Sequence, residues 1–306
     1  MTRRASAGNV AASVRARLTD QARSRGDDVQ LVLLRFAIER LMFRLAQGKY
    51  RDQFILKGAM LFSLWAPVPY RSTGDLDLLG EGDPTAARFV QIFREICAIK
   101  VPDDGVVFDA DSITAEQARP EAEYQGVFVE VNATLAGARL HLRVDIGFGD
   151  IVTPRAQTIE YPSLLDFPKP RLRAYPPETV VAEKLEALVS LGMRNSRMKD
   201  FLDLWVIAKT FQFEGAILLQ AVAATFSRRK TVPPVETPIA LTTAFTQDPA
   251  KQVQWRAFLG RSKIDLAPKS LPEVVSFVEG FVTPVLNAAR DGATFNKTWT
   301  PGGSWS

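Results

Sequence analysis

Residues 54–80 read FILKGAMLFSLWAPVPYRSTGDLDLLG, and the order of residue types in this run predicts a strand, a glycine turn, a short helix, a basic turn and a second strand. In the second strand Asp75 and Asp77 stand two apart, so both carboxylates project from one face while Leu76 and Leu78 project from the other, buried one. Two like charges side by side repel unless a cation lies between them, and carboxylate oxygens suit Mg²⁺ or Mn²⁺. Solvated acids on a half-exposed strand are the plainer reading. Gly58, where a backbone can approach a phosphate closely, and the basic, hydroxylated turn Arg71-Ser72-Thr73-Gly74 favour a metal site for phosphate chemistry instead.

Further along, residues 139–148 read RLHLRVDIGF. Alternation puts Leu140, Leu142, Val144 and Ile146 on one side and His141, Arg143 and Asp145 on the other. Asp145 can therefore join Asp75 and Asp77 if the strands are neighbours. Three acids in one cleft suit phosphoryl transfer, in which they hold two ions, one activating the attacking hydroxyl and one neutralising the triphosphate. A solvent-facing acid at a strand end is the alternative for Asp145, and it is the expectation for Asp150 in the turn that follows.

The helical second half adds two blocks. Pro176-Pro177-Glu178 opens a helix whose Val180, Val181, Leu185, Leu188 and Val189 form an apolar stripe, with Lys184 at its edge and Gly192 at its end. On pattern alone Lys184 is a snorkelling surface lysine. A basic loop with Arg194 and Arg197 then leads into a second helix, where Lys199 precedes Asp200 and Asp203, neighbours on one helical face. Asp200, near the helix start, also complements the helix dipole.

The glycine turn, helix and Asp-x-Asp strand resemble the signature of the polymerase-beta-like nucleotidyltransferase superfamily. Within it, Lys57-Gly58-Ala59, Arg71-x-Thr73-x-Asp75-x-Asp77, the 182–188 block and Arg197-x-Lys199-Asp200-x-x-Asp203 resemble the AbiEii/AbiGii toxin family, which includes the MenT toxins. The resemblance runs from about Phe54 to about Phe211. It implies that Asp75, Asp77 and Asp145 hold the metal, with Asp145 also the base. It further implies that Lys184 contacts the triphosphate, and that Asp203, with Asp200 in reserve, orients Lys184 or completes the site. Lys57, Gly58, Ala59, Arg71, Thr73, Lys199 and Asp200 become candidates for nucleotide binding. One departure stands out: many superfamily members have Gly-Ser or Gly-Gly where this chain has Gly58-Ala59, so backbone N–H groups or Thr73 would have to take over from the missing hydroxyl.

Composition narrows the alternatives. With 306 residues, 46% hydrophobic and 24% charged, the chain has material for one large or two modest domains. Lys and Arg exceed Asp and Glu by 38 to 34, an excess that tolerates a polyanionic partner without requiring one. The single cysteine, Cys97, excludes an internal disulfide framework and cysteine-cluster zinc sites, and its apolar helical setting predicts a buried structural thiol. His141 is the only histidine, so mechanisms needing two have no material. No stretch approaches about 18 unbroken apolar residues and the N-terminus lacks a signal-peptide core, so a cytoplasmic protein outside the membrane is expected.

The expected fold is α+β: a nucleotidyltransferase-type mixed sheet domain with flanking helices over residues 1–152, a proline-rich connector over 153–175, and a mostly helical domain over 176–306. Helices are predicted at 10–24, 29–46, 84–99, 214–226, 249–259 and 271–289, and strands at 106–113, 126–135 and 139–148, the last two joined as a hairpin at Gly137. Arg15, Arg17, Arg23 and Arg25 do not share a helical face and read as solvated surface. Arg228, Arg229 and Lys230, together with Arg194 and Arg197, are candidates for RNA phosphate contacts, a solvated turn being equally compatible with the 228–230 run. The Gly- and Ser-rich tail from Asp291 reads as loose.

The functional expectation is a metal-dependent nucleotidyltransferase that moves a nucleoside monophosphate from an NTP to an acceptor. By resemblance, the acceptor is the tRNA 3′ end, the effect is a block on translation, and a cognate antitoxin restrains it. Transfer to a protein or small-molecule hydroxyl, or an inactive binding scaffold, are the competing readings.

Overall fold

The computed structural model describes residues 9–65, 73–117, 126–262, 268 and 270–306. The chain divides into two units: residues 1–149 with 157–174, and residues 150–156 with 175–306.

The first unit opens with two helices, α1 (Val10–Arg25) and α2 (Val29–Gln47). The Asn9 and Asp28 side chains accept from the Ala12 and Leu31 amides, and Gly26 between the helices takes the left-handed conformation that lets the chain turn. Strand β1 (Phe54–Lys57), a turn at Gly58–Met60, helix α3 (Leu61–Trp65) and strand β2 (Asp75–Gly80) follow. Helix α4 (Ala86–Cys97) begins two residues after Pro84, with Thr85 at its N-cap position. Strands β3 (Val106–Gln117), β4 (Gly126–Leu135) and β5 (Ala138–Phe148) form an antiparallel meander, hairpinned through Ala136 and Gly137.

The stretch expected to be a bare connector contributes two strands, β6 (Gln157–Glu160) and β7 (Arg171–Ala174). They complete a seven-stranded mixed sheet of order β3-β4-β5-β2-β1-β7-β6. Polar anchors bind the intervening chain to α2: the buried Glu39 carboxylate accepts from the Ser163 hydroxyl and the Leu164 amide, and Arg40 donates to the Pro168 carbonyl. Burial pushes the Glu39 carboxyl above its usual range, opposed by Arg40 beside it.

One face of the sheet carries the core. Leu76 and Leu78 of β2 and Leu140, Leu142, Val144 and Ile146 of β5 are all buried, each contributing about 1.5–3 kcal/mol by leaving water. Phe54 packs edge-on against Phe89 and Phe93 of α4, and a side chain at Gly74 would touch Leu34 of α2 at 3.3 Å. Both helices therefore cover the leucine face, leaving Asp75 and Asp77 on the other.

The second unit is mainly helical: α5 (Pro177–Leu191), α6 (Met198–Thr210), strand β8 (Phe213–Glu214), α7 (Gly215–Arg229), α8 (Thr243–Gln247), α9 (Pro249–Ser262), α10 (Leu271–Asp291) and strand β9 (Thr298–Trp299). The tail departs from expectation. It pairs β9 with β8, buries Trp299 with its indole donating to the Ala208 carbonyl, and stacks Trp305 on Phe281. Two tryptophans supply the apolar area that the glycines and serines lack.

Candidate active site

The sheet brings the predicted acids together. Strands β2 and β5 are parallel neighbours in a register that sets Asp77 beside Asp145 and Asp75 beside Arg143, and β1 adds Lys57 opposite Asp77. Lys57, Asp77 and Asp145 thus form a row across three strands. Gly58 has φ +70°, and a Cβ there would lie 2.0 Å from Asp77 Oδ2, so the turn's backbone rests directly on the carboxylate. Gly147 plays a matching part: a Cβ there would come within 2.8 Å of Lys57 Nζ, so the missing side chain makes room for the ammonium.

Two positions outside the sequence-predicted set belong to this face. Arg143 Nε donates to Asp145 Oδ1 at 2.7 Å, and its guanidinium lies 4.5 Å from the centre of the Phe128 ring. The hydrogen bond to Asp145 raises the Arg143 pKa above the ordinary arginine value. The signal for Arg143 was its alternation with Asp145; the signal for Gly147 was a glycine inside a strand. Ala59 is buried, and the Thr73 hydroxyl is 3.4 Å from the Asp75 carbonyl. Arg71 lies outside the described residues.

Asp75, Asp77 and Asp145 offer carboxylate oxygens, the donors a hard divalent cation prefers. Among the described residues, however, no group of three or more His, Cys, Asp or Glu side chains is arranged to hold a metal ion. Asp145 is turned onto Arg143 instead. The carboxylates suit a divalent ion in kind and in strand register, and the Asp145 carboxylate is paired with Arg143.

The second unit assembles the other predicted group. Lys184 Nζ on α5 lies 2.6 Å from Asp200 Oδ1 and 2.7 Å from Asp203 Oδ2 on α6, both carboxylates being buried. Lys184 is therefore no snorkelling surface lysine. Arg197 adds a contact of 3.0 Å to Asp200 Oδ2. Lys199, Arg194, Arg228 and Lys230 are exposed.

Two expectations need correction. Arg229 is not available to RNA: its guanidinium is held by Glu186 at 2.7 Å, Asp150 at 3.2 Å and Glu183 at 3.5 Å. By the same pairing Asp150 is a largely buried ion-pair partner, not a solvent-facing acid. Sequence hid this because the partners are far apart along the chain. Burial pushes the Cys97 thiol up to about 12, which removes it as a thiolate nucleophile at neutral pH. His141 is exposed, its ring Nδ1 3.0 Å from Asn132 Oδ1.

Residues 40–278, well over half the chain, match the family of the AbiEii toxin, a nucleotidyl transferase of type IV toxin–antitoxin systems. The chain belongs to the AbiEii nucleotidyltransferase toxin family. It is accordingly a nucleotidyltransferase, and membership implies a cognate antitoxin. Two crystal structures from Helicobacter pylori share the fold. JHP933 is 14% identical with a TM-score of 0.50, covering 87% of this chain and 95% of its own. A protein provisionally named a nucleotidyltransferase is 13% identical with a TM-score of 0.51, covering 88% of this chain and 100% of its own. No curated protein matches the chain significantly. Among the described residues, no helix of this AbiEii-family chain is long and apolar enough to cross a membrane.

Proposed function

We propose that this AbiEii-family chain transfers a nucleoside monophosphate from an NTP to the 3′-terminal hydroxyl of tRNA, in the cytoplasm where both substrates reside, and so blocks translation. The observation that carries the reading is the β2–β5 register, with Asp77 beside Asp145 and the Gly58 turn against Asp77.

Asp75, Asp77 and Asp145 would hold Mg²⁺ or Mn²⁺, which when bound neutralises phosphate charge and activates the attacking hydroxyl. The acceptor oxygen forms a bond to the α-phosphorus as the bond from that phosphorus to the β-phosphate oxygen breaks. Pyrophosphate leaves with the electron pair, and the hydroxyl proton passes to an Asp145 carboxylate oxygen. The Gly58 backbone, free of a side chain, admits the phosphates closely, with Lys57, Arg71 and Thr73 alongside and the backbone of Ala59 replacing a hydroxyl. Lys184 neutralises the triphosphate, held in one rotamer by Asp200 and Asp203. Arg194, Arg197, Lys199, Arg228 and Lys230 offer cations to the RNA backbone.

Purified protein incubated with total tRNA, Mg²⁺ and each labelled NTP in turn tests this. Label should enter tRNA from one preferred NTP, and Asp77→Asn should lower transfer by about a hundredfold or more while leaving the fold intact. Substantial activity in Asp77→Asn would sink the metal assignment. Label in protein or a small molecule would move the acceptor, and absence of NTP binding would leave an inactive scaffold.

A further inference from the structure

Arg143 is placed among the carboxylates by the sheet itself. It stands two residues from Asp145 on one strand, beside Asp75 on β2, and opposite Glu130 on β4. Its guanidinium bonds Asp145 and lies over Phe128, whose own partner across the β4–β5 pair is Asp145. The site thus carries Arg143, in addition to Lys57 opposite Asp77, as a cation where its acids converge.

We propose that Arg143 is a positioning residue that latches Asp145 until metal and nucleotide arrive, and then turns to the phosphates of the nucleotide. The inference rests on the nucleotidyltransferase reading of this site. Before loading, the guanidinium neutralises the third carboxylate, which keeps the acid cluster from repelling itself open and competes with any divalent ion for the same oxygens. A planar guanidinium matches two phosphate oxygens as well as it matches a carboxylate, so a bound triphosphate offers an equivalent partner. Nucleotide that draws Arg143 away frees Asp145, so nucleotide and metal each raise the other's affinity.

Mn²⁺ binding without nucleotide, read from the resonance of the free ion, tests whether Arg143 competes with the metal for Asp145, and the KM for NTP separates a latch that turns to the nucleotide from a static ion pair. Arg143→Gln should bind Mn²⁺ several-fold to about tenfold more tightly than wild type, the range expected when a charge-assisted hydrogen bond no longer competes. Arg143→Lys, which keeps the charge but loses the planar fork, should fall between the two. Adding Asp145→Asn to Arg143→Gln should erase the gain. With Mg²⁺ present, Arg143→Gln should also raise KM for NTP more than it lowers kcat. A damaged fold would weaken metal binding, so tighter binding cannot come from damage. Unchanged or weaker Mn²⁺ binding in Arg143→Gln, in a protein whose wild type transfers label, overturns the latch alone. A wild type that neither binds Mn²⁺ nor transfers label overturns the latch together with the reading beneath it.

Discussion

Gly58 and Gly147 lack side chains for opposite physical reasons, and the difference sets what each substitution should do. At Gly58 the backbone has φ +70°, unfavourable for any L side chain, and an added methyl would meet the Asp77 carboxylate at 2.0 Å. At Gly147 the nearest atom to an added methyl is the tip of the Lys57 chain, which can swing aside. Gly58→Ala should therefore cost about 1–3 kcal/mol of stability and lower transfer by about a hundredfold by displacing Asp77. Gly147→Ala should leave the melting temperature within a few degrees and change mainly the affinity for NTP. Thermal melts and steady-state kinetics on the pair check this; near-wild-type turnover in Gly58→Ala would remove the turn from the catalytic machinery. The acids were readable from sequence because strand alternation fixes the face of Asp75, Asp77 and Asp145 once the strands are recognised. Arg143 shares that alternation, yet its role depends on which strand lies beside β5, which no local pattern encodes.

Helices α5 and α6 show how a catalytic candidate doubles as a packing element. The Lys184 ammonium sits between two carboxylates that are 1% and 0% exposed, and such charges are stable in the interior only with a counter-charge. Lys184→Met should therefore cost about 3 kcal/mol, the usual penalty for breaking a buried pair, and abolish transfer as well. Combining it with Asp203→Asn should recover part of the lost stability in a denaturant titration while activity stays absent. If the double variant is no more stable than Lys184→Met, the pair is not a mutual neutralisation. Helical spacing exposed the Asp200–Asp203 face, and apolar periodicity found both helices. Neither could reveal that Arg229 in the last turn of α7 binds Asp150, Glu183 and Glu186, because that contact depends on how α5 and α7 pack and on where residues 150–156 run.

Across the whole molecule, the largest departure from the sequence reading lies where prolines are dense. Strands β6 and β7 are four residues each, so the alternation of Arg171-Leu172-Arg173-Ala174 spans only two periods among the prolines, and β7 pairs with β1 in parallel from more than a hundred residues away. Proline and loop chemistry therefore masked a structural return: the chain leaves the sheet unit for residues 150–156 and comes back for 157–174. The two divisions predict different fragments. A fragment of residues 1–152 loses β7 from the edge of β1, directly beside the Lys57–Gly58 turn, and exposes an unpaired strand of buried apolar residues. It also strips Glu39 of the Ser163 and Leu164 donors and Arg40 of the Pro168 carbonyl, leaving a buried charged pair half satisfied. A fragment of residues 1–175 keeps all of these. Residues 1–175 should accordingly melt cooperatively and stay in solution, whereas residues 1–152 should aggregate or melt without a transition. Equal, cooperative melting of both would mean that β6 and β7 decorate a sheet already complete at 152, and that the sheet edge beside the Gly58 turn needs no cover.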